Sequence, residues 1–452
     1  MTSYDIAGIG IGPFNLGLAA LLSSHPEVSG VFLEKKPSFR WHEGLILPGT
    51  TLQVPFMADL VTMVEPTHPL SFLNYLAAHD RLYRFYFYEN FMIPREEYDH
   101  YCRWASQRLP SCRFGEPVAD VTYSRDTQRF TVETKTDAGK MRRYDTRNIA
   151  LGIGTAPHLP QWARRETRAP LMHSSEFGKR RQELSRRRRI TVVGSGQSAA
   201  ECVLALFSDL TPEAVAAGFS IHWITRSPGF FPMEYSKLGL EYFTPDYMRH
   251  FHRLGAEQRR KVVAGQDLLH KGISFSTIGE IFDLLYHRSA AGRNPGLTLT
   301  SNCAVETLED TPLGFRLGIR HNDLGEGGFL ETDAVIAATG YRHQWPAWLD
   351  ALKGEVLATD PKGDLIVGDD FRAARADDRA GVVFVQNAET FHHGVGSPDL
   401  GLGAFRNATI INQLLGRERY RVRSNVAFQN FGLPQDVDRG AETTGESYER
   451  AF

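Results

Sequence analysis

The chain has 452 residues, enough for roughly two to four domains of ordinary size and for a substantial core. Its 51 lysines and arginines against 53 aspartates and glutamates leave a formal net charge of −2, which gives no general pull toward nucleic acid or an anionic membrane. Hydrophobic residues at 42% exclude a disordered chain, and four cysteines without metal-ligand or CxxC spacing (Cys102, Cys112, Cys202, Cys303) exclude a disulfide-stapled or zinc-held fold.

Tyr4 to Ile9 reads as a short strand running into Gly8, Gly10 and Gly12, Phe14 to Leu22 as a helix, and Val31 to Leu33 as a strand ending at Glu34. This is a β-α-β unit. The run Phe14 to Leu22 is no signal-peptide core, because Asp5 rather than a cation precedes it and Gly12-Pro13 breaks it. No stretch approaches 18 apolar residues, so the expectation is a soluble, cytoplasmic protein without membrane contact. Pro69 to His79 and Arg95 to Gln107 are amphipathic, Val118 to Thr134 alternates like antiparallel strands, and Asn148 to Gly152 is a further strand before the loop Ala156 to Pro160. The basic run Lys179 to Arg189 reads as a solvated helix and linker rather than a polyanion patch. After it come the strand Ile190 to Val193, a second glycine turn and the strand Ser220 to Thr225. Residues 245 to 290 are predicted helical, Leu297 to Ile319 β-rich, and Ala334 to Ala338 a strand entering Thr339-Gly340-Tyr341. Val382 to Val385 is a last strand, Leu402 to Leu415 a helix, and the polar tail from about Gly440 is expected to fray.

Both turns have the chemistry of a dinucleotide cradle. In the first, Gly8 permits the tight bend, Gly10 lets backbone approach a diphosphate, and Gly12 with Pro13 opens a helix whose amides hold the anion; Glu34 sits where a ribose-binding acid belongs. In the second, Gly194-Ser195-Gly196-Gln197-Ser198, the following strand ends in Thr225-Arg226-Ser227 rather than in an acid. Arg226 can pair with a ribose 2′-phosphate, which selects NADPH over NADH. Two such turns, with Thr339-Gly340-Tyr341 returning to the first, predict an α/β flavoprotein of two Rossmann-like domains reduced by NADPH. The absence of a cysteine pair argues against a disulfide reductase. The Baeyer-Villiger fingerprint is also missing, Leu171-Met172-His173-Ser174 matching only its end.

On Gly8-Ile9-Gly10-Ile11-Gly12-Pro13-Phe14-Asn15-Leu16, Phe39-Arg40-Trp41-His42, Leu52-Gln53, Ser71-Phe72-Leu73-Asn74-Tyr75-Leu76, Pro94-Arg95-Glu96-Glu97-Tyr98, the second turn through Glu201, Tyr242-Phe243-Thr244-Pro245, Ala338-Thr339-Gly340-Tyr341 and His393-Gly394, the chain resembles the N-hydroxylating flavin monooxygenases of siderophore biosynthesis, to about residue 418. The resemblance implies a discontinuous FAD domain (1–170 and 331–452), an NADPH domain (185–330) and a helical substrate region within it (about 236–290). It implies that the first turn with Asn15 and Leu16, Glu34 to His42 including Lys35 and Trp41, Gln53, Arg95, Val118, Leu400, Gly401 and Leu402 line FAD. Gly194 to Ser198, Arg226 and Ser227 would hold NADPH, with Thr339 and Tyr341 at the return. It further implies that a C4a-hydroperoxyflavin transfers oxygen from O2 to a neutral amine, that no protein acid or base is needed, and that the enzyme is a homo-oligomer, tetrameric in relatives.

Two departures bear on the substrate. Where the amino-acid hydroxylases carry a lysine that pairs with the substrate carboxylate, this chain has Ala58, and Leu240 stands for a polar asparagine. A buried carboxylate would lose both partners, so the expected substrate is a linear diamine, cadaverine or putrescine. Glu241, Glu389 and Asp399 are the candidates for its distal ammonium, beside Gln53. The alternatives are an L-lysine N6- or L-ornithine N5-monooxygenase with a rearranged clamp, and a non-catalytic flavin/NADPH redox sensor.

Overall fold

Strand Ser3–Ile9 is apolar toward both sides: Ile6 packs into one core and Ala7 and Ile9 into another, so it belongs mid-sheet. In the computed structural model, which describes residues 3–136 and 139–434, it does. The sheet runs Cys112–Phe114, Gly30–Glu34, Ser3–Ile9, Met141–Leu151, Arg129–Lys135, Val118–Ser124. The first four strands are parallel, with Ala7 opposite Val31 on one side and Ile149 on the other. Met141–Leu151 serves two partners: its first part pairs antiparallel with Arg129–Lys135, and Ile149 to Leu151 pair in parallel with Val383–Val385. Helices Pro13–Leu22, Arg95–Ser106 and Gly403–Leu415 contribute to the core on the Ile6 side.

The second sheet is wholly parallel, in the order Leu297–Thr300, Ser220–Ile224, Arg189–Val193, Ala334–Ala337, Leu171–His173. Here the boundaries expected from the sequence need correcting. All four residues of Ala334–Ala337 are buried, and Val335 lies opposite Thr191. The strand therefore belongs inside the second sheet and not to the unit beginning at 331. Leu171–His173 adds an edge strand before 185. The chain returns through the antiparallel pair Thr155–Pro157 and Tyr341–His343.

The predicted helical stretch forms Pro245–His252, Ala256–Gly265 and Phe275–Ser289, the first and last capped by the Thr244 and Ser274 hydroxyls. The basic run is taken up by ion pairs: Arg180 with Glu183, Arg181 with Asp209 and Arg189 with Asp333. Beyond Gly416, left-handed at φ 63°, the chain becomes a strap. Tyr420 is buried and donates to Glu65 at 2.9 Å, the amides of Asn425, Val426 and Ala427 donate to Asp246, and the Phe431 ring packs on Tyr242 and Tyr247. The tail expected to fray from Gly440 lies outside the described residues. No helix among the described residues is long and apolar enough to cross a membrane.

Candidate active site

The first turn is shaped for close backbone approach. Gly10 has φ +85°, and a Cβ there would stand 2.5 Å from the Gly152 carbonyl oxygen, so only glycine fits. A Cβ on Gly12, the residue before helix Pro13–Leu22, would meet nothing within 4 Å; the space over the helix N-terminus is open. Asn15 fixes the turn from below. Its amide nitrogen donates to the carbonyls of Gly10 (2.8 Å) and Ala150 (3.1 Å), and its oxygen accepts from Gln386 at 2.6 Å. Leu16 is buried behind it. Glu34 reaches the turn, one oxygen accepting from the Ile11 amide at 2.8 Å and the other from Lys36. Lys35 is exposed beside it, and Val118 begins the strand whose approach is set by the Glu116 amide donating to the Glu34 carbonyl. Trp41 is held by its amide on Asp99 (2.7 Å) and stacks edge-on to His42, which in turn lies 6.2 Å from the Tyr341 ring.

The second turn repeats the design with different closing residues. Gly194 has φ +138°, and a Cβ there would approach the Ala338 carbonyl oxygen to 2.2 Å. The Trp223 indole donates to the Gly194 carbonyl at 2.7 Å, and Gly196 precedes helix Gln197–Asp209, with Ser198 in its first turn. Ser195 and Ser227 share a hydroxyl hydrogen bond of 2.9 Å. Arg226 is exposed at the end of its strand and has no carboxylate partner among the described residues. The Gln197 side chain is committed internally, donating to Glu201 and Thr277 and accepting from the Ser274 amide. Thr339 donates to the His158 carbonyl, and the Tyr341 hydroxyl is buried without a protein partner.

Arg95, expected on the flavin, is occupied elsewhere. Its guanidinium forms a two-pronged ion pair with Glu201 (2.6 and 2.8 Å) and donates to the Leu45 carbonyl. The pair is buried and joins the helix Arg95–Ser106 beside the first sheet to the helix of the second turn. A desolvated fork satisfied by a carboxylate is a tie between the two units rather than a free ligand.

The substrate candidates separate sharply. Glu389 is buried and paired with the equally buried Arg406 at 3.0 Å, whose guanidinium lies between the Phe14 and Phe371 rings. Glu241 is spent on the strap, accepting from the amides of Phe428 (2.8 Å) and Gln429 (2.9 Å). These bonds hold its carboxyl below the usual range. Both are corrections to the sequence-based set: Glu389 is sealed in the core against the Arg406 charge, and Glu241 already has its donors. Asp399 differs. One of its oxygens accepts from the Gly401 amide at 2.8 Å, and burial raises its carboxyl to about 6 against the pull of the Gly401 and Leu402 amides. A Cβ on Gly401 would lie 3.9 Å from the Ala58 side chain, so Ala58, Gly401 and Asp399 are neighbours, and Leu400–Leu402 forms the turn leading into the last helix. Tyr235, missed in the sequence, donates to the Gln53 carbonyl at 2.9 Å, and its hydroxyl is pushed up to about 12 by burial and then by the charge of Asp399. Leu240 is exposed on the adjoining turn Gly239–Phe243. The structure thus brings Gln53, Ala58, Tyr235 and Asp399 together beside the first cradle.

The profile of the L-lysine 6-monooxygenase/L-ornithine 5-monooxygenase family matches residues 2–343. The chain belongs to this family. It is an NADPH-dependent flavin N-monooxygenase, and the redox-sensor alternative falls away. It is 70% identical over 453 residues to the rhizobactin siderophore biosynthesis protein RhbE of Rhizobium meliloti, covering all of both chains. It is 40% identical to a putrescine N-hydroxylase of Shewanella oneidensis, over 95% of this chain and 84% of that one. Among solved structures it is similar to the FAD-bound cadaverine monooxygenase DfoA of Erwinia amylovora, with a TM-score of 0.90, 36% identity and coverage of 97% and 100%.

Proposed function

We propose that the enzyme hydroxylates one amine of a linear diamine, putrescine or cadaverine, with FAD, NADPH and O2 in hydroxamate siderophore biosynthesis. Asp399 carries the reading: of the three candidate carboxylates it is neither sealed in a buried ion pair like Glu389 nor spent on the strap like Glu241, and it stands beside Ala58, a side chain that cannot pair with a substrate carboxylate. The diamine and cadaverine relatives agree with it. FAD belongs in the first cradle, where the glycines, the open helix N-terminus and Glu34 fit a diphosphate and ribose; NADPH belongs in the second, with Ser195, Ser227 and Arg226 at the 2′-phosphate. The bound flavin supplies the activated oxygen.

The protein's own contribution is positional and electrostatic. Asp399 holds the far ammonium, while the reacting nitrogen must reach the flavin as a neutral amine, and removal from water favours that form. Tyr235 keeps the Gln53 backbone in place at the mouth. A panel of diamines from three to six carbons, set against L-lysine and L-ornithine in a hydroxylamine assay, tests the reading. Diamines are expected to exceed the amino acids in kcat/KM by about 100-fold or more, the discrimination expected when a buried charge has no partner; equal turnover would overturn it.

We also propose a cytoplasmic homo-oligomer. Tyr83, Tyr86 and Phe87 on helix Leu82–Tyr88, with Phe91 beyond it, are 61 to 80% exposed, an aromatic face suited to a second copy. Tyr83→Ser with Phe87→Ser should shift light-scattering mass toward the monomer.

A further inference from the structure

A second cavity, of about 300 Å³, opens on the outer side of the last helix, between Gly403–Leu415, helix Pro245–His252 and the turn at Asp369 to Phe371. It lies behind the Leu400–Leu402 turn: Met248, Phe371, Leu402 and Phe405 form the wall between them. Three features set it apart from an ordinary crevice. His393 lines it, is 2% exposed, and has both ring nitrogens without a hydrogen-bond partner. Phe371, on which the His393 ring stacks at 4.6 Å, is buried with φ +67°, a conformation bulky residues adopt only when their surroundings force it. The cavity is also lined by opposite charges that do not meet. Among the described residues Arg249, over the Phe405 ring, makes no ion pair, the nearby Asp246 being held by the strap amides, and the exposed Asp369 makes none either, while Asp370 is already taken by Arg372.

The chemistry of the lining narrows the ligand. An anion such as phosphate would meet Arg249 but face two aspartates, and a diamine would bring a second cation beside the guanidinium. A molecule with one ammonium and one carboxylate satisfies both free charges, and Phe371 and Phe405 offer apolar surface to the rest of it. We propose that this cavity is a second small-molecule site that takes a zwitterionic α-amino acid, its carboxylate on Arg249, its ammonium on Asp369 and its side chain along Phe405, with the His393 ring as the buried polar contact. The site is independent of which amine the enzyme hydroxylates.

L-norleucine is the probe, because it is a zwitterion with a linear side chain and no second amine to be hydroxylated. Calorimetric titration of the FAD-loaded enzyme with NADP+ present should give saturable binding of one norleucine per chain. Pentylamine and hexanoate, which each carry one of the two charges, should compete about ten-fold more weakly or worse. That comparison uses the unaltered enzyme and does not depend on any variant folding. Arg249→Gln and Asp369→Asn should each weaken norleucine by about ten-fold or more while leaving the KM for the hydroxylated amine unchanged. The proposal is overturned by absence of saturable binding, by binding that survives both substitutions, by half-ligands that compete equally well, or by one-for-one displacement of norleucine by the hydroxylated amine.

Discussion

Glu389 and Asp399 lie ten residues apart on the same passage between strand Val383–Val385 and helix Gly403–Leu415, yet their surroundings give them opposite tasks. Glu389 is sealed in the core against Arg406, whereas Asp399 is held by the Gly401 amide, makes no ion pair among the described residues and is only partly covered. The difference teaches that a carboxylate close to a cofactor turn is a ligand candidate only if the protein has not already sealed it against a counter-charge of its own. A buried charge pair is also asymmetric: removing one member leaves the other desolvated and alone.

The largest expected effect comes from breaking the sealed member. Glu389→Ala should lower stability by about 3–5 kcal/mol, read by denaturant unfolding, and the double change Glu389→Leu with Arg406→Met should recover most of it. If the single substitution left stability intact and instead abolished diamine binding, the two residues would have to exchange roles. Next in size is Asp399→Asn, which should cost about 2–3 kcal/mol in kcat/KM for a diamine, with little change in melting temperature. Because burial raises this carboxyl to about 6 from the ordinary aspartate range, it loses its charge as pH falls through that value. Diamine kcat/KM should therefore drop below about pH 6 in the parent, and that limb should vanish in Asp399→Asn while the high-pH limb set by the amine remains. Smallest is Glu241→Ala. It should leave kcat/KM nearly unchanged and the melting temperature within about 1 °C, but limited proteolysis around residues 424–430 should speed up as the strap loses its anchor.

The two glycine turns were legible because each is local: strand, bend and helix follow one another within some 20 residues, and Gly10 and Gly194 have the positive φ that only such a turn asks of them. The antiparallel alternation of Val118 to Thr134 was legible for the same reason. What escaped were partnerships across sequence. Arg95 reads as a flavin contact until Glu201 is seen beside it, 106 residues away, and Glu241 reads as a free acid until Phe428 and Gln429 arrive from 187 and 188 residues downstream. Ala334–Ala337 lies in the second sheet rather than the unit expected to begin at 331, because an apolar strand in sequence carries no mark of which sheet will bury it. Tyr235 had no signal at all; its role comes from reaching the Gln53 carbonyl across the seam, 182 residues away.

The strap has a consequence for how the enzyme comes into being. The turn Gly239–Phe243 and helix Pro245–His252 carry Glu241 and Asp246, yet five of the amides that satisfy these acids belong to residues 425–429. During synthesis both glycine turns leave the ribosome long before those amides exist. The glycine turns can therefore form early, while Glu241 and Asp246 wait for nearly the whole chain, so a ribosome that stops short of residue 425 releases a protein whose two turns are complete but whose strap acids have no amides to hold.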